Sequence, residues 1–411
     1  MRLLFVHQNF PGQYKHLAAH FGADPGTQVV AIGEEANIAQ RPAIPGVQRV
    51  AYRLARAVGK DVHPYLRKIE EAVLRGQAVA RTALQLKQKG FTPDVICVHP
   101  AWGEALYLRD IYPESPILAF CEFYYQSRGA DVGFDPEFPS TLDDHLRIRT
   151  WNMVQQSSLL AADWGVSPTR WQSSMYPAEF QSRLSVMHDG IDTQALAPDE
   201  QATFSLPDGR SLQRGDEIIT FVSRGLEPYR GFHIFMRSLP ELMRRRPKAQ
   251  VIVVGGDTPS YGRRPKDAVN WREKLLREVG DRIELNRLHF VGKIPYPAFV
   301  SLLQLSRAHV YLTYPFVLSW SMLEAMAAGA PIVASNTPPV TEFIQHEHKG
   351  LLFDFFDQKA LVEAVCRVIE QQELSQFITQ EARKTIVEGY SLTQVCLPAQ
   401  SKLISELTRK H

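Results

Sequence analysis

Two arginines six residues apart, each beside a glycine, stand out in Arg224-Gly225-Leu226-Glu227-Pro228-Tyr229-Arg230-Gly231. A guanidinium is permanently charged and offers paired N–H donors to phosphate oxygens, so two of them at this spacing suit a diphosphate. Gly231 lets the backbone come close at the start of a helix, where free N–H groups favour an anion. The residue types fit a solvated basic turn equally well. A second stretch, Pro315 to Pro331, holds Ser319, Trp320 and Ser321, then Glu324 in an otherwise apolar run. Ser319 is a candidate helix N-cap whose first turn presents N–H groups to phosphate. Glu324 needs partners, because burying an unpaired charge is costly. A ribose diol would supply two hydroxyls, and a structural ion pair is the competing use. Gly329-Ala330-Pro331 closes the helix and restarts a strand.

These loops need rigid elements behind them. Short β-rich runs alternate with amphipathic helices, the pattern of parallel sheets covered on both faces. The first half predicts strands at Arg2–Val6, Gln28–Ile32, Asp94–Val98, Pro116–Phe120 and Trp164–Val166, with helices over 13–21, 61–89, 103–111 and 136–162. The second half predicts strands at 217–223, 250–254, 288–291, 308–312, 331–334 and 350–353. Helices are expected over 232–246, 268–279 and 295–306. The seam falls near 192–216, where Pro207-Asp208-Gly209-Arg210 breaks the periodicity. A chain of 411 residues then divides into two doubly wound α/β domains facing across a cleft, 1–195 and 196–390. A terminal helix is expected over 391–411, capped by Ser391 and packing back on the first domain. Ligands in such sheets bind beyond the carboxyl ends of the strands.

Composition narrows the classes without selecting one. The chain is 45% hydrophobic and 22% charged, with 46 basic and 44 acidic residues for a net charge of +2. That excludes a disordered or fibrous protein and argues against a bulk nucleic-acid binder. The four cysteines lack zinc-ligand spacing, and Cys97, within an apolar run, reads as a buried thiol. The apolar run after Arg2 is too short for a signal-peptide core, and no window approaches ~18 apolar residues. A cytoplasmic protein is the expectation.

Several motifs, in order, resemble glycosyltransferase family 4, the retaining GT-B enzymes that use nucleotide-activated sugars. His188-Asp189-Gly190-Ile191-Asp192 is similar to the family's seam, and Ser223-Arg224 through Arg230-Gly231 to its phosphate clamp. Phe290-Val291-Gly292-Lys293-Ile294 resembles the base-reading loop, and Leu323 to Ser335, with Glu342 downstream, the family's most diagnostic run. The resemblance implies a GT-B fold of two Rossmann-like domains, acceptor-side first and donor-binding second. It implies that Arg224 and Arg230 bind the donor diphosphate and stabilise the leaving nucleotide. Glu324 would hold the ribose, and the Lys293 and Ile294 backbone would face the base. Pro11-Gly12-Gln13 resembles a short glycine loop where donor and acceptor approach.

Departures from the family pattern bear on the sugar. Phe316 occupies the place of the first of two glutamates, so sugar contacts fall to Ser319, Trp320 or Ser321. Glu122 follows the strand that often leads to a histidine, leaving His99 as the nearest strand-end imidazole. No Asp-x-Asp motif occurs, consistent with arginines in place of a divalent ion; no cofactor is expected. The reading is a retaining, metal-independent transfer from a nucleotide sugar to a glycan, lipid-linked or small-molecule acceptor. A GT-B sugar-nucleotide epimerase and a nucleotide-sugar-binding protein without turnover are the alternatives. Phe316 argues against the epimerase, which needs carboxylates around the sugar.

The stretch Arg49–Lys89 carries ten basic against three acidic residues, a local charge of +7. A basic face there would suit anionic lipid or an acidic acceptor, placing the protein peripherally on the inner membrane face; a solvated helix surface is the plainer reading. Arg244-Arg245-Arg246 ends a helix, where cations suit the dipole.

Overall fold

A computed structural model describes residues 1–409. The chain divides into two compact units: Met1–Asp189 joined by the chain from Thr393 onward, and Gly190–Leu392. The expected boundary at 195/196 thus lies a few residues beyond the observed one.

The first unit is built on seven strands, β1 (Arg2–Val6), β2 (Gln28–Glu34), β3 (Val47–Tyr52), β4 (Val95–Val98), β5 (Ile117–Phe120), β6 (Trp164–Ser167) and β7 (Leu184–Val186). They pair in parallel in the order β3-β2-β1-β4-β5-β6-β7. Order reverses between β1 and β4, so the loops leaving those two strands diverge and open a crevice at their carboxyl ends. Leu3, Leu4, Phe5 and Val6 are fully buried, as a strand covered on both faces requires.

The second unit opens with a small antiparallel hairpin, β8 (Thr203–Ser205) and β9 (Ser211–Gln213). Its sheet contains β10 (Ile218–Gly225), β11 (Gln250–Gly256), β12 (Leu288–Gly292), β13 (Ala308–Tyr311), β14 (Ile332–Ser335) and β15 (Leu351–Phe353). These are also parallel, in the order β12-β11-β10-β13-β14-β15, and the reversal falls between β10 and β13. Both units are therefore Rossmann-like, and the reversals put the loops of interest at the two switch points.

Helix starts differ from the periodicity reading for identifiable reasons. The helix expected from 61 begins at Arg67, after the turns around Pro64. That expected from 136 begins at Leu142, where Thr141 and Asp144 form a capping box. Only Leu108–Ile111 is helical in the segment 103–111; Gly103 instead turns at φ +104 against the Ala72 backbone. The segment 207–210 is the turn of the β8–β9 hairpin.

The terminal helix begins at Leu397, not Ser391, which pairs with Ile191 inside the second unit. Leu403, Ile404 and Leu407 bury against Leu3, Phe5 and Phe21 of the first unit. Residues 410 and 411 of the expected helix lie outside the described residues.

The basic stretch is not one helical face. Arg49 sits on β3 and donates to the carbonyls of Ile38 and Arg41. Arg53 pairs with Glu35 and Arg56 with Glu70, while Arg75 is buried beside Glu71 and Glu34. Of these carboxylates, Glu70 and Glu71 are already counted in the stretch, so only Glu34 and Glu35 offset its surplus from outside.

Candidate active site

Arg224 and Arg230 flank the loop that leaves β10. The loop turns once in 3-10 form over Pro228–Arg230 and enters the helix Phe232–Arg245 through Gly231, at φ +67. A Cβ on Gly231 would stand 2.3 Å from Leu312 Cβ, so both conformation and clearance require glycine. The neighbouring Glu227 is fully buried. Its carboxylate accepts the amide hydrogens of Ser260 (2.8 Å), Tyr261 (3.2 Å) and Gly262 (2.6 Å), binding the loop after β11 to the loop after β10. The sequence alone gives Glu227 no role; the structure does.

Arg230 is 6% exposed. Its Nη1 donates to Thr313 Oγ1 at 2.7 Å and to the Val317 carbonyl at 2.9 Å. The guanidinium carbon lies 5.2 Å from the ring centre of Tyr261 and 5.9 Å from that of Phe316. Burial by itself presses the guanidinium toward losing its proton, but the Tyr311 and Tyr261 phenols and Glu227 outweigh it, and the group stays cationic. Its Nη1 bonds go to a hydroxyl and a carbonyl, and Glu227, the carboxylate that acts on it through charge, is itself occupied by three backbone amides. A buried cation faced by hydroxyl, carbonyl and ring faces is poised for an incoming anion. Phe316, 2% exposed, is thus a wall behind the guanidinium, edge-on to Tyr261 at 4.9 Å.

Arg224 is exposed at the end of β10. Lys293, also exposed, follows β12; its Cε would lie 3.0 Å from a Cβ on Gly256, the last residue of β11. Ile294 is half-buried against the apolar cluster of Ile252 and Leu302. Ser319 caps the helix Trp320–Ala328, its hydroxyl 2.9 Å from that of Ser321, while Trp320 is 45% exposed. Gly329, at φ +82, closes this helix. Glu324 is half-buried and accepts the hydroxyl of Tyr296 at 3.0 Å; burial, and next the Glu324 carboxylate, raise the phenol well above its usual range. Tyr296 was invisible in the sequence, because it meets Glu324 from 28 residues away. The second unit therefore gathers Arg224, Arg230, Lys293, Ile294, Ser319, Trp320, Ser321 and Glu324 along the carboxyl edge of its sheet.

Gly12 and His99 belong to the first unit. Gly12, at φ +49 after a cis Phe10–Pro11 bond, would place a Cβ 2.9 Å from the His7 ring. Burial, and next the nearby His99, push the His7 imidazole down to about 3, so it is neutral. His99 is 1% exposed, packed on Trp102 and edge-on to His7. It lies 3.4 Å from Glu122, the residue that stands where a histidine is common in the resembling family.

Residues 25–196 match the glycosyl transferase family 4 group, and residues 207–385 match the glycosyl transferases group 1. An uncharacterised glycosyltransferase of Methanocaldococcus jannaschii is 27% identical over 216 residues, 51% of either chain. A D-inositol 3-phosphate glycosyltransferase of a Nocardioides species is 24% identical over 53% of this chain and 47% of its own. The alignments thus span about half the length of these curated relatives. Among solved structures, sucrose-phosphate synthase of Thermosynechococcus elongatus superposes over the full length of both chains with a TM-score of 0.75 at 15% identity. Anabaena HepE, solved in complex with UDP-glucose, gives 0.68 at 16% identity, again over both full lengths. Matched by these two families across both Rossmann-like units, the chain belongs to the family 4, group 1 glycosyltransferases of GT-B fold.

Proposed function

We propose that the protein moves a sugar from a nucleoside-diphosphate donor to an acceptor hydroxyl, with retention at the anomeric carbon and without a divalent metal. The observation that carries this reading is Arg230, a buried guanidinium that bonds a hydroxyl and a carbonyl and, among the described residues, no carboxylate directly. When the bond from the anomeric carbon to the diphosphate breaks, charge collects on the leaving phosphate. Arg230 and Arg224, with the N-termini of the helices Phe232–Arg245 and Trp320–Ala328, oppose that charge. One such fixed electrostatic contact is worth roughly 10²–10³ in rate. Glu324 takes the ribose diol, with the Tyr296 hydroxyl sharing or yielding its place, and the backbone at Lys293 and Ile294 faces the base. In front-face attack the acceptor oxygen bonds to the anomeric carbon as the phosphate oxygen leaves, and that oxygen takes the acceptor proton. No protein nucleophile is needed. The acceptor is a glycan, a lipid-linked molecule or a small molecule.

The test is a thermal-shift panel of UDP, GDP, ADP, CMP and dTDP sugars, followed by mass spectrometry of products with candidate acceptors, with and without EDTA. Transfer that survives EDTA and yields the donor's anomeric configuration supports the reading. No stabilisation by any nucleotide sugar overturns the donor site. Binding without transfer or hydrolysis supports a binding protein instead.

A further inference from the structure

The switch point of the first unit holds a layered polar set that the donor site does not use. Glu122 comes two residues after β5. Its side chain is 33% exposed, whereas that of His99, behind it, is 2% exposed. His99 Nδ1 accepts the Ala101 amide hydrogen at 3.2 Å. With Nδ1 accepting, a ring hydrogen sits on Nε2, which faces Glu122 Oε2 at 3.4 Å. The other carboxylate oxygen faces the side-chain amide of Gln13 at 3.3 Å. Gln13 is itself fixed by the 3-10 turn Gly12–Tyr14, which only a residue without a Cβ can start above the His7 ring. The Gln172 amide donates to the Glu122 carbonyl at 2.6 Å, fixing the backbone below. His99 thus has no open face of its own, and what it presents to a ligand is the carboxylate in front of it.

An ionised carboxylate accepts hydrogen bonds and donates none. Held between two N–H donors at the carboxyl ends of β1, β4 and β5, it suits hydroxyl hydrogens and repels phosphate or carboxylate. Given the transferase reading, on which this inference rests, the diphosphate and ribose are served by the second unit. We propose that Glu122 binds a hydroxyl of the acceptor, that the acceptor is a neutral polyol at that point, and that His99 and Gln13 are positioning residues for this carboxylate.

The experiment supplies the full chain, with the nucleotide sugar it binds, with octyl glucoside, galactoside and mannoside, and with octyl glucuronide and glucose 6-phosphate. Products are followed by mass spectrometry. Transfer to the neutral glycosides is expected to exceed transfer to the anionic compounds tenfold or more. Glu122→Gln is expected to raise the acceptor KM tenfold or more while the nucleotide Kd stays within twofold. His99→Gln, which retains an N–H toward Glu122, should keep more acceptor affinity than His99→Leu, with kcat little changed. Melting curves confirm that each variant folds. Preference for the anionic compounds, or an unchanged acceptor KM in Glu122→Gln with nucleotide binding intact, overturns the proposal. Failure of the wild-type chain to bind any nucleotide instead overturns the donor reading beneath it.

Discussion

Single side chains at the proposed donor edge divide the work by charge. Glu324 is half-buried with a phenol at 3.0 Å, the arrangement expected of a carboxylate waiting for hydroxyls. A hydrogen bond to a charged group contributes about 1.5–3 kcal/mol, or ~10- to ~100-fold in affinity. We therefore expect the wild type to prefer a ribonucleotide over its 2′-deoxy counterpart by at least ~10-fold in a calorimetric titration. Glu324→Ala should erase most of that preference, and a variant that still discriminates would remove Glu324 from the ribose. The sequence made Glu324, Arg224 and Arg230 legible because charged residues in apolar or glycine-rich loops are conspicuous. It did not show Glu227, Tyr296 or the role of Glu122, whose contacts lie 23 to more than 100 residues away along the chain. The histidine reading also shifts: His99, taken from its strand-end position as a site residue, stands behind Glu122.

Among elements, the loop from β10 into the helix Phe232–Arg245 decides whether Arg230 points correctly. Gly231 combines φ +67 with a 2.3 Å approach of any added Cβ to Leu312. Gly231→Ala should cost about 1–3 kcal/mol, from backbone strain and overpacking against Leu312, just past β13, and should weaken nucleotide binding as the loop shifts. A variant with wild-type melting and wild-type binding would contradict that placement. Eleven strands were readable from apolar runs bounded by turn residues, and all are present. β3 was not read, because it is a half-exposed edge strand interrupted by Arg49, so its alternation is weak. β7, β8 and β9 have three residues each, too few to establish a period.

At the scale of the whole molecule, both units bury neutral histidines. Burial lowers His7 to about 3 and His188 and His309 to about 4, from 6.5. A folded value below the unfolded one means the unfolded chain binds more protons as pH falls. Stability from these groups is complete above about pH 6.5 and is lost progressively toward pH 4. The urea midpoint should therefore fall between pH 7 and pH 5, and a flat midpoint over that window would contradict the neutral assignments. The two-unit plan was legible from the repeated strand–helix alternation. The return of the last helix to the first unit is less legible, since Leu403, Ile404 and Leu407 carry no sign in sequence of which core they enter.

The central claim is that Arg230 holds the donor's diphosphate, and it is tested most directly by calorimetric titration of wild type and Arg230→Ala with UDP, GDP and ADP against the matching nucleoside monophosphates. The wild type should bind one diphosphate at least ~10-fold more tightly than its monophosphate, by the same charge-assisted hydrogen-bond scale. Arg230→Ala should lose that margin while still melting cooperatively. A wild type indifferent to the second phosphate, or an Arg230→Ala that keeps the full margin, would contradict it.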